Sequence, residues 1–418
     1  MGADSTDTKV RATRVQRRDR PWIGAVVATL CGPFDMPSTA DIEHAVAALS
    51  RRYPHSRLGW GLDETKRHWV IPSADAGTRQ GAVVVERSRA GHTSLGQTLD
   101  SMVADRTVDA SLVIFRYEDY FGVRMSHEYG DGRFYDEVIG ALMSAAGPGN
   151  PVSWTIGPTT RFPLTTAVVR TFATKPTRVL AAIADRPPRP RAEPVGAEPR
   201  SLPWAPDRRT VSAVIPNELR EQMIAWGRSA APGASWFALV TSMLLRSVEV
   251  AGMRVADDVS IVMDLRRFLR KRDLDGNFVI GVPFAVSCHT PPAEIGSMIR
   301  SAVLSGRPVA AQAASTLRGW RRGSVPVTMD PAQLPRVTFT SVGTPPRINA
   351  LAFRPGAPAI ASGSVEPEGP HGLTFLISET ADTCVVTASF HQNVIDAEVV
   401  TEALRLAQTE PTEILAKW

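Results

Sequence analysis

Between Ala184 and Asp207 the chain carries prolines at 187, 188, 190, 194, 199, 203 and 206. Each fixes its own φ and lacks a backbone N–H, so neither a helix interior nor a central strand can run through the stretch. It reads as a surface crossing between two bodies. The 418 residues suit that division, being too many for one ordinary domain and comfortable for two. The expected organisation is a flexible basic tail over 1–20, an N-terminal lobe over 21–183, the proline-rich linker over 184–207 and a C-terminal lobe over 208–418.

Composition narrows the class. A hydrophobic fraction of 43% supports two packed cores rather than disorder. No run reaches the ~18 apolar residues of a membrane-spanning helix. The longest candidate, Ile23 to Leu30, is strand-sized and bounded by Pro21 and by Cys31-Gly32-Pro33. Met1 to Arg20 is polar, with Arg11, Arg14, Arg17, Arg18 and Arg20, and lacks the apolar centre of a secretory signal. Cys31, Cys288 and Cys384 are far apart and form no CxxC pair, which argues against a disulfide framework or a zinc site and for a reducing cytoplasm. The formal charge of +5 suits an anionic small molecule such as a phosphorylated cofactor. No zinc-finger spacing, RNA-binding signature or basic helix with interleaved aromatics supports nucleic acid.

Periodicity gives alternating strands and helices in both halves. In the first, Ile23–Leu30 reads as a strand, and Ser38-Thr39-Ala40-Asp41 caps a helix with Ile42, Ala45, Val46 and Leu49 on its apolar face. Tyr53-Pro54 ends that helix. Val83–Val85 is a short strand and Leu95–Ala104 a helix. Ser111–Tyr117 and Tyr120–Met125 form a hairpin across Glu118-Asp119, followed by a helix over Phe134–Ala145. Loop and a helix near Leu164–Phe172 lead to the linker. In the second half, strands are expected over Thr210–Ile215, Val259–Asp264, Phe284–Ser287, Arg336–Thr340, Leu373–Ser378 and Val385–Phe390. Helices are expected over Glu218–Ala230, Ser235–Val250, Ala293–Leu304 and Ala397–Leu406.

The segment Ser126-His127-Glu128-Tyr129-Gly130-Asp131-Gly132 carries the chemistry. A strand delivers His127 to its end, two glycines bracket Asp131 so that the chain turns tightly, and a helix begins within a few residues. Such a junction holds a side chain on a rigid base while leaving it accessible. A neutral imidazole, with a solution pKa near ~6.5, can take a proton at physiological pH. Backbone N–H groups at a helix start can face a developing negative charge. Ser126 beside His127 does not make a nucleophilic dyad, because neighbours in a strand face opposite sides. The chain also has no GxSxG elbow.

This segment resembles the His-His-x-x-x-Asp-Gly motif of the condensation-domain superfamily, which includes chloramphenicol-acetyltransferase-like enzymes, polyketide-associated acyltransferases and wax ester synthases. His127, Asp131 and Gly132 fill the second histidine, aspartate and glycine, and Ser126 stands in place of the first histidine. The resemblance continues in chain order. Arg52-Tyr53-Pro54-His55-Ser56-Arg57 is similar to the "rhP-x-LR" stretch, and Asp264-Leu265-Arg266 with Gly276-Asn277 to the "DxR…GN" pattern. Val337 to Gly343 resembles the "SNxG" strand end, with Thr340 and Ser341 for serine and asparagine, and Ala388 to Asp396 resembles the last strand and helix start. No Asp-Phe-Gly-Trp-Gly segment is present.

The resemblance implies an α/β (α+β) fold of two chloramphenicol-acetyltransferase-like lobes in a V, with mixed sheets flanked by helices and an active-site tunnel between the lobes. It implies His127 as general base and Asp131 as a structural residue paired with an arginine, for which Arg266 is one candidate. Backbone N–H groups near Gly130–Gly132 would hold the oxyanion, with Gly130 the candidate contact to oxyanion or tunnel and Ser126, Asp131 and Gly132 as structural support of the motif. Ser341 either assists the oxyanion or caps its strand, and Asn277 either lines the tunnel or makes a plain turn. His371 and His391 read as surface residues. The basic run Arg266 to Arg272 reads as a solvated face, with contact to a donor's phosphates or an acidic carrier protein as the sharper option.

The implied reaction moves an acyl group from a thioester, acyl-CoA or an acylated carrier protein, to a hydroxyl or amine of a small acceptor in specialised-metabolite or lipid biosynthesis. No tightly bound cofactor and no metal are expected, and a monomer is the default. The replacement at Ser126 motivates the opposite reading, a catalytically silent relative that binds an acyl ligand or scaffolds a complex.

Overall fold

The computed structural model describes residues 11–71, 81–147, 152–157, 162–173, 175–185, 201–270, 274–317 and 326–417. Most of the proline-rich linker, 186–200, and Lys271 and Arg272 of the basic run lie outside the described residues. Two mixed sheets organise the chain. The first has the order Ile360–Ser364, Val26–Gly32, Phe121–Ser126, Leu112–Arg116, Val83–Glu86. Its pairs are antiparallel except the last, which is parallel.

Helices cover both faces of that sheet. Thr39–Arg52 and Gly132–Ala146 pack together on one face, burying Ile42, Leu49, Val138 and Leu142 against Ile114, Val123 and Met125. Leu95–Ala104 covers the other through Leu99 and Met102. The helix starts follow the capping chemistry of the sequence. Ser38 and Asp41 form a reciprocal capping box, and the side chains of Ser94 and Asp131 accept the N–H groups of Gln97 and Arg133.

The second sheet has the order Val279–Ala285, Asp258–Asp264, Arg336–Gly343, Gly372–Glu379, Thr383–His391, Arg208–Pro216. Its core is built with the helices Trp236–Val250 and Ala397–Thr409 around Phe339, Phe375, Leu245 and Leu404. The strand expected at Phe284–Ser287 instead spans Val279–Ala285. Pro283 sits within it because it is an edge strand, where a missing N–H costs no ladder bond.

Two expectations about organisation are corrected. The tail assigned to 1–20 is not free over its second half: Arg11–Arg14 pairs with His68–Ile71, and Asp19 is completely buried. Residues 1–10 lie outside the described residues. Nor do the sheets divide at the linker, because Ile360–Ser364 crosses back to complete the first sheet beside Val26–Gly32. Its sequence, Ile-Ala-Ser-Gly-Ser, lacks the bulky alternation that marks a strand, and pairing with a strand from another part of the chain holds it. The lobes therefore interlock. The helix Leu95–Ala104 also lies close on the strand Arg208–Pro216, where any side chain at Gly96 would run into the Thr210 carbonyl.

Candidate active site at the lobe seam

The strand Phe121–Ser126 ends in a single 3-10 turn, His127–Tyr129, and the helix Gly132–Ala146 starts three residues later. Both glycines of the turn are required sterically. A Cβ at Gly130 would lie 2.5 Å from Phe134 Cβ, and one at Gly132 would lie 2.6 Å from Val342 Cγ1 of the second lobe.

His127 is 8% exposed. Its backbone N–H donates to the Ala25 carbonyl at 2.8 Å, and its carbonyl accepts from Asn277 Nδ2 at 2.7 Å. Nδ1 is sealed from solvent and makes no close hydrogen bond. Burial pushes the imidazole below its ordinary value, opposed by the backbone of His127 and Gly130, by Asp131 and by Asn277. That direction favours the neutral ring, the form a general base needs. Trp22 stacks on it with ring centroids 4.2 Å apart and planes inclined by 28°.

Asp131 is buried and faces the second lobe. Arg266 Nη1 donates to its Oδ2 at 2.7 Å, and the Phe278 N–H donates to the same oxygen at 3.1 Å. Burial alone would raise this carboxyl; Arg266 and the Phe278 N–H outweigh it and hold Asp131 below the usual carboxylate range. Arg266 donates further to the carbonyls of Leu274 and Gly276 and to Asp264 Oδ1. Within the basic run it is thus a buried residue rather than part of a solvated face, while Arg267 and Arg270 are exposed.

A second set of contacts fixes the turn from the other side. Arg57 Nη1 donates to the carbonyls of Glu128 and Tyr129 at 3.2 and 2.9 Å. Its Nη2 lies 3.5 Å from Asp19 Oδ2 and 3.3 Å from Asp275 Oδ2, and its guanidinium lies over the Trp69 ring. Arg57 adopts φ 62, a left-handed conformation uncommon for a side-chain-bearing residue and held here by these partners. Asp19 Oδ1 accepts the Asn277 N–H at 2.9 Å. Arg18, Asp19, Arg57, Asp275, Asn277, Arg266 and Asp131 thus form one buried network around the backbone that carries His127.

Several expected residues sit elsewhere. Ser341 is exposed, and its Oγ accepts from the Gly343 N–H at 3.1 Å, a cap on its own strand end. Ser126 pairs in register with Val26. His371 and His391 are buried rather than superficial; His391 Nδ1 accepts from the Asp207 N–H, and the ring packs edge-on to Trp204. The three cysteines are free and buried. Among the described residues no cluster of His, Cys, Asp or Glu could hold a metal ion, and no helix is long and apolar enough to cross a membrane.

Sequence reasoning missed Asp19, Trp22 and Glu128. Only the Arg-Pro-Trp sequence at 20–22, ending a basic stretch, hinted that the chain settles there. Glu128 is wholly buried, and burial pushes it up to about 7 against weaker opposing contributions from its own N–H, Ser126, Lys66 and Gly24.

No family model and no curated protein matches this sequence. Solved structures do match across its whole length. The first condensation domain of the calcium-dependent antibiotic synthetase, with a substrate analogue, is 16% identical, with 98% of this chain and 97% of that one covered at a TM-score of 0.62. TRI101 of Fusarium sporotrichioides, complexed with coenzyme A and T-2, is 14% identical, covering 96% and 98% at 0.58. TRI3 trichothecene 15-O-acetyltransferase of the same organism is 12% identical, covering 97% and 95% at 0.57. The chain has the two-lobed α+β fold of condensation domains and chloramphenicol-acetyltransferase-like acyltransferases.

Proposed function

We propose that this protein is an acyltransferase that moves an acyl group from a thioester to a hydroxyl or amine of a small acceptor, with His127 as general base. The observation that carries the reading is the placement of His127: the strand end delivers it to the lobe seam, where its carbonyl accepts from Asn277 Nδ2 at 2.7 Å, and burial pushes its imidazole below the ordinary value. Structures sharing the fold include one complexed with coenzyme A and one condensation domain with a substrate analogue, which supports a thioester donor.

In this reading Nε2 removes the acceptor's proton as its oxygen or nitrogen attacks the thioester carbonyl. The tetrahedral oxyanion forms near the N–H groups of Gly130 to Gly132 at the start of the motif helix. Collapse expels the thiolate, which takes the proton back from the imidazolium, leaving an ester or amide and a free thiol. Holding both reactants in line at the seam lowers the barrier without a covalent acyl-enzyme. Asp131 and Arg266 touch no reactant in this scheme; they fix the turn.

The test is turnover of a panel of acyl-CoAs and acylated carrier proteins with mixed alcohol and amine acceptors. Product from one donor class supports the reading and names the donor. Silence across the panel, from protein shown to be folded, favours a ligand-binding or scaffolding role instead.

A further inference from the structure

The N-terminal segment is built into the site through one aromatic ring. Arg20–Trp22 forms a single 3-10 turn, started by Pro21, that packs against the turn His127–Tyr129. The segment is anchored on both sides of Trp22. Upstream, Arg18 Nη2 donates to the Asp275 carbonyl at 2.9 Å, and Asp19 Oδ1 accepts the Asn277 N–H. Downstream, the Ala25 N–H donates to the Trp22 carbonyl at 3.0 Å, and the Ala25 carbonyl accepts the His127 N–H. The indole is therefore tied to the same backbone that carries the imidazole it covers.

We infer that Trp22 is a positioning residue for His127, its indole face fixing the imidazole plane so that Nε2 points to the reactants. Three observations support this role. The rings are stacked rather than edge-on, at 4.2 Å and 28°. The imidazole's polar support comes from the backbone of His127 and Gly130 and from Asn277, and no carboxylate, the group that commonly orients such a ring nitrogen elsewhere, is hydrogen-bonded to Nδ1. Asp131, the carboxylate of the motif, spends Oδ2 on Arg266 and Phe278 and Oδ1 on the Arg133 N–H. A π face also attracts a cation, so the same contact favours the imidazolium formed during proton transfer.

The part of this inference that concerns rate rests on the acyltransferase reading; the part that concerns ring orientation does not, and each has its own readout. The ring protons of His127, assigned in the labelled full-length protein by comparison with His127→Gln, should be shifted upfield by the indole ring current. Trp22→Leu should abolish that shift, and Trp22→Phe should retain a smaller one. In the donor-acceptor assay Trp22→Leu should lower kcat by roughly tenfold or more with KM little changed, because ring orientation and not acceptor binding is lost. Trp22→Phe should recover part of that rate. An unshifted His127 in the wild type, or one unaffected by Trp22→Leu, overturns the inference whether or not turnover is found. So does a Trp22→Leu variant that is faster than wild type, which would make the indole a cover rather than a support. If Trp22→Leu fails to fold, Trp22→Phe carries the test: a reduced upfield shift supports the role and an unchanged one opposes it.

Discussion

Arg266 Nη1 and Asp131 Oδ2 meet at 2.7 Å across 135 residues of sequence, one from each lobe, and both side chains are almost wholly buried. Removing one partner leaves the other charge uncompensated in the interior. Arg266→Ala should cost about 3–5 kcal/mol of stability. Arg266→Lys should recover only part of it, since an ammonium cannot also span the Leu274 and Gly276 carbonyls. Denaturant unfolding of the two variants checks both statements.

Because Asp131 is held below the usual carboxylate range, its contribution has a definite pH dependence. It is fully present above the unfolded-state value near ~4 and is lost as pH falls through the lower folded value. His127 acts in the same direction at higher pH: its folded value is depressed, so the unfolded chain binds the proton more readily and stability falls once pH drops below ~6.5. His127→Gln should remove the share of that loss below pH ~6.5 that His127 contributes and leave the shares of His371 and His391, whose folded values burial also depresses. Stability measured from pH 8 to pH 4 for the two proteins checks this.

Glu128 runs the other way. Its folded value, pushed up to about 7, lies above the unfolded one, so stability is lost as pH rises toward 7. Glu128→Gln, nearly isosteric and always neutral, should raise Tm at pH 8 by about 1–3 °C and change it little at pH 5. Thermal melts at the two pH values decide this.

Gly132 and Val342 approach across the seam so that a Cβ at 132 would lie 2.6 Å from Val342 Cγ1. Gly132→Ala should destabilise the protein by about 1–3 kcal/mol through overpacking. Val342→Ala should recover most of that loss in the double variant. A double-mutant cycle with no coupling would contradict the close approach.

Local chemistry made much of this fold legible. The capping residues Ser38 and Asp41, the hairpin strands before His127 and the helix after Asp131 all lie close to where their periodicity placed them. What stayed hidden depends on long-range packing. Asp19 sits among arginines that read as a solvated tail, and its burial is set by Arg57 and Asn277, far away in sequence. Ile360–Ser364 has too little side-chain bulk to announce a strand, and only its partner Val26–Gly32 gives it one. Arg57 appeared only as part of a resemblance, and its position under the turn at Glu128 and Tyr129 is a tertiary fact.

The most direct measurement is the rate of acyl transfer by His127→Ala beside wild type, with a donor and acceptor that turn over and with circular dichroism showing both proteins folded. If His127 is the general base, kcat falls by ~10²–10⁴-fold, and the wild-type pH profile of kcat/KM rises with a midpoint below ~6.5. Equal rates in the two proteins would contradict it.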